Sequence, residues 1–177
     1  MKTKNMQFRV LLILSAFIAL ICVMQITAYA TEAELVSDGE GGFYYNLPQN
    51  DYVTLDLADK ASGFSFKVYD NGGKESDYSG YCNTNFLITA PDGCVLSVSG
   101  SGSTESGYDI LRFYDGSAYT QLGKDYSGSF TVDDLYSPEN LLEIRFYSDS
   151  GIQSGGFEIT VTVESRSNFA DVNYSFN

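Results

Sequence analysis

The chain has 177 residues, 23 acidic against 10 basic, and a net charge of −13. So acidic a protein repels nucleic acid and anionic membrane, and no basic patch offsets this. It contains no His, which removes the usual general base, the Ser–His and Cys–His couples and the commonest zinc ligand.

The first thirty residues read as a secretion signal. Lys2, Lys4 and Arg9 make a basic start, Val10 to Met24 is almost wholly apolar, and Ala28-Tyr29-Ala30 offers small residues where a signal peptidase reads. The apolar run is shorter than the ~20 residues that span a bilayer. Cys22 follows a bulky Ile21, which argues against lipoprotein processing. Cleavage after Ala30 removes three positive charges, turns −13 into −16 and leaves one domain's worth of chain. No membrane insertion is expected once the signal is gone.

Residues 31–50 are acidic and Gly-rich over much of their length and read as a leader or the approach to a first strand. The domain proper is placed at 51–165. Tyr52–Leu57 and Phe64–Tyr69 form a first strand pair around a polar turn. Phe86–Thr89 and Val95–Val98 flank Pro91-Asp92-Gly93, where Pro presets φ and Gly permits positive φ. Gly100-Ser101-Gly102-Ser103 follows a strand without opening a helix, so it is no phosphate loop. Phe130 and Val132 belong to a later strand, and Asp133 to Asn140 has room for one helical turn at most.

The end of the domain carries the clearest pattern. Leu142, Ile144 and Phe146 alternate with Glu143, Arg145 and Tyr147; Phe157, Ile159, Val161 and Val163 alternate with Glu158, Thr160, Thr162 and Glu164. Period-two alternation marks half-buried strands. Many short strands with turn residues between them argue for an all-β antiparallel sandwich of two stacked sheets. Residues 166–177 form a polar tail with interspersed aromatics.

Cys82 and Cys94 remain after cleavage. A pair in a secreted chain is expected to be bridged. If Asn83–Thr89 is one strand and Cys94 starts the next, the thiols lie about 20 Å apart at strand spacing, against a Cα separation of about 7 Å at most for a disulfide. Both alternatives stand at this point.

Six short motifs occur in one order: Tyr81-Cys82, Ala90-Pro91-Asp92-Gly93, Tyr108-Asp109, Tyr114-Asp115-Gly116, Ser148-Asp149 and Gly156-Phe157. Together they resemble the CUB domain, an extracellular β-sandwich module, and the run Phe66–Gly73 is similar to the start of bacterial CUB-like domains. The resemblance implies a jelly-roll-like strand order and a secreted or cell-surface module that binds protein or glycan and is not an enzyme. It also implies a calcium site. The family's three acidic ligands map to Glu105, Asp109 and Asp149, with a Tyr hydroxyl from Tyr78 or Tyr81 and backbone carbonyls near Ser150-Gly151. In related modules the ion also positions acidic side chains that grip a partner's Lys.

Two departures stand out. Glu105 and Asp109 are only four apart, and Gly107 occupies the place of a family Cys. Calcium takes hard oxygen donors, which this set supplies; Asp115 reads as a turn residue instead, and Asp133-Asp134 as a solvated pair. Two other classes remain: a carbohydrate-binding module, favoured by 14 Tyr but not by the lack of Trp, and a structural surface subunit assembling through strand edges. Two carboxylates such as Glu105 and Asp149 also suit glycoside hydrolysis, but no cleft signature accompanies them.

Overall fold

The computed structural model describes residues 30–169. The proposed signal segment up to residue 29 and the tail from residue 170 lie outside these residues. Residues 31–169 belong to one compact unit.

Short strands arise where apolar residues alternate with polar ones, and they stop at Gly, Pro and Asx turns. In chain order they are β1 (Thr31–Glu32), β2 (Val36–Ser37), β3 (Phe43–Asn46), β4 (Asn50–Asp56), β5 (Ser65–Tyr69), β6 (Asn83–Thr89), β7 (Cys94–Ser103), β8 (Ile110–Asp115), β9 (Gln121–Tyr126), β10 (Ser129–Tyr136), β11 (Leu141–Tyr147) and β12 (Gly156–Ser165). A single 3-10 turn, Arg166–Phe169, follows. They make two six-stranded sheets, in the orders β1-β4-β6-β11-β8-β9 and β10-β7-β12-β5-β3-β2. The sandwich expected from the alternation is thus present.

Pairing is antiparallel through the centre of both sheets. The N-terminal strands depart from this: β1–β4, β4–β6 and β3–β5 pair in parallel. The reason is connectivity. The chain leaves β4 in the first sheet, passes through β5 in the second and returns as β6, and such a crossover brings strands back in the same direction. Residues 31–50, read from composition as a leader or the approach to a first strand, are built into both sheets, with Ala33 and Leu47 buried. Asp133 to Asn140 holds no helical turn. Its first half continues β10 through a bulge between Val132 and Leu135, where Asp134 takes a φ of 44°.

The alternation in the last two long strands is realised in facing layers. Leu142, Ile144, Phe146, Phe157, Ile159, Val161 and Val163 are all buried, and they face each other across the two sheets. Aromatic contacts clasp the layers: Tyr45 stacks on Phe86 with centroids 4.9 Å apart, and Phe146 meets Phe157 edge-on at 5.1 Å. The Gly-rich run Gly100–Ser103 lies inside β7, and packing explains it. A Cβ on Gly102 would fall 2.6 Å from Phe130 Cζ and 2.7 Å from Phe157 Cβ, so glycine makes room for two core rings.

Cys82 is buried just before β6, and Cys94 opens β7 after the turn at Gly93; both thiols are unbridged. Strand β6 holds them at its opposite ends, as the spacing argument required.

Candidate metal centre

The site sits at the end of the sandwich where β7 leaves for β8 and β11 leaves for β12. Glu105 and Asp109 lie on one turn. The amides of Tyr108 and Asp109 both donate to the Glu105 carbonyl, at 3.3 and 3.1 Å. The turn folds the chain back on itself, so the close spacing keeps both carboxylates at one site. Gly107 adopts a φ of 82° within this turn, and its amide donates to Ser127 Oγ at 2.7 Å. The position that the family gives to Cys here needs a left-handed backbone, which favours glycine.

Asp149 comes from the loop after β11. Its amide donates to Asp109 Oδ1 at 2.9 Å, and its carbonyl accepts from the Tyr81 amide at 2.8 Å. These bonds bring the three carboxylates together. One oxygen from each of Glu105, Asp109 and Asp149 lies within 4.8 Å of the others.

Asp109 is the fully buried member. Its Oδ2 accepts from the Tyr78 hydroxyl at 2.6 Å. That hydroxyl in turn accepts from the Glu105 amide at 3.0 Å. Burial pushes the Tyr78 phenol well above the ordinary tyrosine range, and the bond to Asp109 pushes it further in the same direction. The structure thereby separates the two tyrosine candidates. Tyr78 reaches the carboxylates with its side chain; Tyr81 is 70% exposed and contributes only backbone.

Glu105 Oε2 accepts from the Ile152 amide at 2.9 Å, tying the β7–β8 turn to the β11–β12 loop. Gly151 lies between the carboxylates. A Cβ there would fall 2.5 Å from Glu105 Oε2 and 2.8 Å from Asp149 Oδ1. Ile152 was not visible as a participant from sequence, because its contribution is a backbone amide that carries no residue signature.

Among the described residues the ion pairs are Lys60–Asp59, Lys67–Glu158, Arg112–Asp125, Arg145–Glu143 and Arg166–Glu139. None involves the cluster. Three carboxylates within 4.8 Å of one another, with the Tyr78 hydroxyl bonded to one of them, are hard-oxygen donors of the kind calcium takes. Asp115, by contrast, spends Oδ1 on the Ser117 amide and hydroxyl, at 2.9 and 2.7 Å, and serves its turn.

The CUB domain family profile matches residues 70–161, which include all three carboxylates, Tyr78 and both loops. Tolloid-like protein 2 of Mus musculus is 28% identical over 95 residues, covering 50% of this chain and 9% of that protein. Two solved structures share the fold. The CUB1-EGF-CUB2 region of human MASP-1/3 superposes with a TM-score of 0.53 at 11% identity, over 73% of this chain and 47% of that one. The full extracellular region of zebrafish Gpr126/Adgrg6 gives 0.51 at 20%, over 64% and 15%. The chain thus spans only a small part of the curated relative and under half of either structure. The motif order, the two-sheet sandwich and the profile match agree: the chain belongs to the CUB domain family.

Proposed function

We propose that this chain is a secreted interaction module that binds an extracellular partner protein through a calcium-ordered loop end, after removal of residues 1–30. As a CUB domain it is a protein-interaction module. The observation that supports the finer reading is the meeting of Glu105, Asp109 and Asp149 within 4.8 Å with no ion pair to any of them among the described residues. Bound calcium would offset their mutual repulsion and hold the two loops together. Glu105, Asp109 and Asp149 would hold the ion, joined by the Tyr78 oxygen.

The surface around the cluster suits a protein contact. Tyr81, Tyr108 and Ile152 are 70%, 60% and 67% exposed, and each is bonded or adjacent to a cluster residue. Aromatic anchors beside desolvated charge are the usual composition of interface hot spots. A cationic side chain of the partner would meet carboxylate oxygens left outward by the ion.

The test is the melting temperature of the Thr31–Asn177 unit in EDTA and in millimolar calcium. The expected result is a calcium-dependent rise in the parent chain that Asp149→Asn and Asp109→Ala lose. An identical melting temperature in both buffers overturns the calcium reading and leaves a metal-free interaction module.

A further inference from the structure

The outer face of the first sheet carries a second constellation, remote in chemistry from the carboxylate cluster. Register places Tyr52, Asn85, Arg145 and Arg112 side by side across β4, β6, β11 and β8. Glu143 and Tyr114 pair in the adjoining row. Arg145 and Arg112 are direct cross-strand partners, an arrangement that is destabilising for like charges unless other groups offset it. Here carboxylates do. Arg112 donates through Nε and Nη2 to Asp125, both at 2.7 Å, and Arg145 donates through Nη2 to Glu143 at 2.6 Å.

Stability alone does not call for this arrangement: Arg145 stays 35% exposed while its partner is covered. The Glu143 side chain is only 2% exposed although it points outward, and a buried ion pair is often no better than an apolar pair of the same size. Arg145 also lies over the Tyr114 ring at 4.2 Å and is 6.0 Å from that of Tyr119. Its Nε is buried without a hydrogen-bond partner. Tyr119, in the turn between β8 and β9, is 66% exposed and holds a φ of 53°. A bulky residue in that region is strained, and such strain gathers at ligand sites. A depression of about 270 Å³ runs along the same face, between Arg112, Arg145, Asn83 and Tyr147.

From these observations we infer that the outer face of the first sheet, centred on Tyr119, Tyr114, Arg145 and Arg112, is a binding platform for a neutral glycan. Sugar rings present an apolar C–H face to aromatic rings and vicinal hydroxyls that both donate and accept. Fixed tyrosine rings beside interleaved guanidinium, carboxylate and amide groups supply both halves of that match. Charge selects the class. At the centre of this face the two guanidiniums of Arg112 and Arg145 and the two carboxylates of Asp125 and Glu143 sum to zero, with Glu32 and Asp56 further out on β1 and β4, within a chain of net charge −13. An acidic polymer is repelled by the whole molecule, and the centre of the face, where the tyrosines lie, has no net charge to attract a basic peptide.

The experiment is affinity electrophoresis of the Thr31–Asn177 chain through gels containing mannan, xyloglucan, hydroxyethylcellulose or, as the acidic arm, alginate. The expected result is retardation by at least one neutral polymer, equal in EDTA and calcium and unchanged in Asp149→Asn. Tyr119→Ala, at an exposed turn, and Arg145→Gln each raise the dissociation constant about tenfold, with circular dichroism confirming that both variants fold. Retardation by no neutral polymer, by alginate alone, or to the same degree in both variants overturns the inference. Dependence on calcium or on Asp149 also overturns it, because binding would then belong to the loop end.

Discussion

At the scale of single residues, Tyr78 links the core to the site. Its ring packs edge-on against Phe146 at 5.2 Å, while its hydroxyl holds Asp109 Oδ2 at 2.6 Å. Losing one partner of a buried hydrogen bond costs about 1–3 kcal/mol. Tyr78→Phe is therefore expected to melt a few degrees lower at neutral pH, by about 2–4 °C per kcal/mol in a domain of this size. The penalty has a pH dependence of known sign. Burial and the Asp109 bond raise the folded phenol above the unfolded value of about 10. The stabilisation is complete below about pH 10 and fades as pH rises above it. Melting curves of both proteins from pH 8 to 11.5 should converge at the alkaline end; a constant gap would show that the phenol does not titrate with unfolding.

At the scale of elements, the loops rather than the strands carry the chemistry, and glycine makes them possible. Gly151 leaves the space between Glu105 Oε2 and Asp149 Oδ1 open. In Gly151→Ala the methyl occupies the meeting point of the carboxylates while the core is untouched. Calcium titration by calorimetry should show affinity lowered by at least about tenfold, with the melting temperature in EDTA nearly that of the parent. Loss of fold instead would mean that the loop tolerates no side chain at all. Phe146 in β11 reports on the other half of the design, the attachment of the site to the core. It lies between Tyr78 and Phe157, and Phe→Ala in such a setting costs about 3–5 kcal/mol. Phe146→Ala should lower the melting temperature by about 10 °C and reduce the calcium response with it, since Tyr78 loses its support. A variant that melts lower but binds calcium as before would show that the loop end is held independently of this ring.

At the scale of the whole molecule, the sandwich holds itself without cross-links. Cys82 is buried, its thiol donates to Ser79 O at 3.1 Å, and burial pushes it above the ordinary cysteine range. A thiol that stays protonated is a poor nucleophile. Dithiothreitol is expected to leave the melting temperature unchanged, and a thiol reagent should label Cys94 well before Cys82 in the native protein. A drop of several degrees on reduction would reveal an intermolecular bridge.

Alternation alone made the long central strands legible, because a period of two in β11 and β12 reflects one face in the core and one face out. Order along the chain made the family legible, and with it Glu105, Asp109 and Asp149 as a set. Local residue chemistry was sufficient for those steps. Three features are visible only in the tertiary structure. The parallel pairing of β4 with β6 depends on a crossover through the other sheet, which leaves no local mark. That Tyr78 rather than Tyr81 reaches Asp109 depends on which ring points inward, and a backbone turn decides that. The pairing of Arg112 with Arg145 depends on cross-strand register between residues 33 positions apart. Sequence specifies what each residue can do; burial and register specify which residues meet, because those depend on contacts between segments distant along the chain.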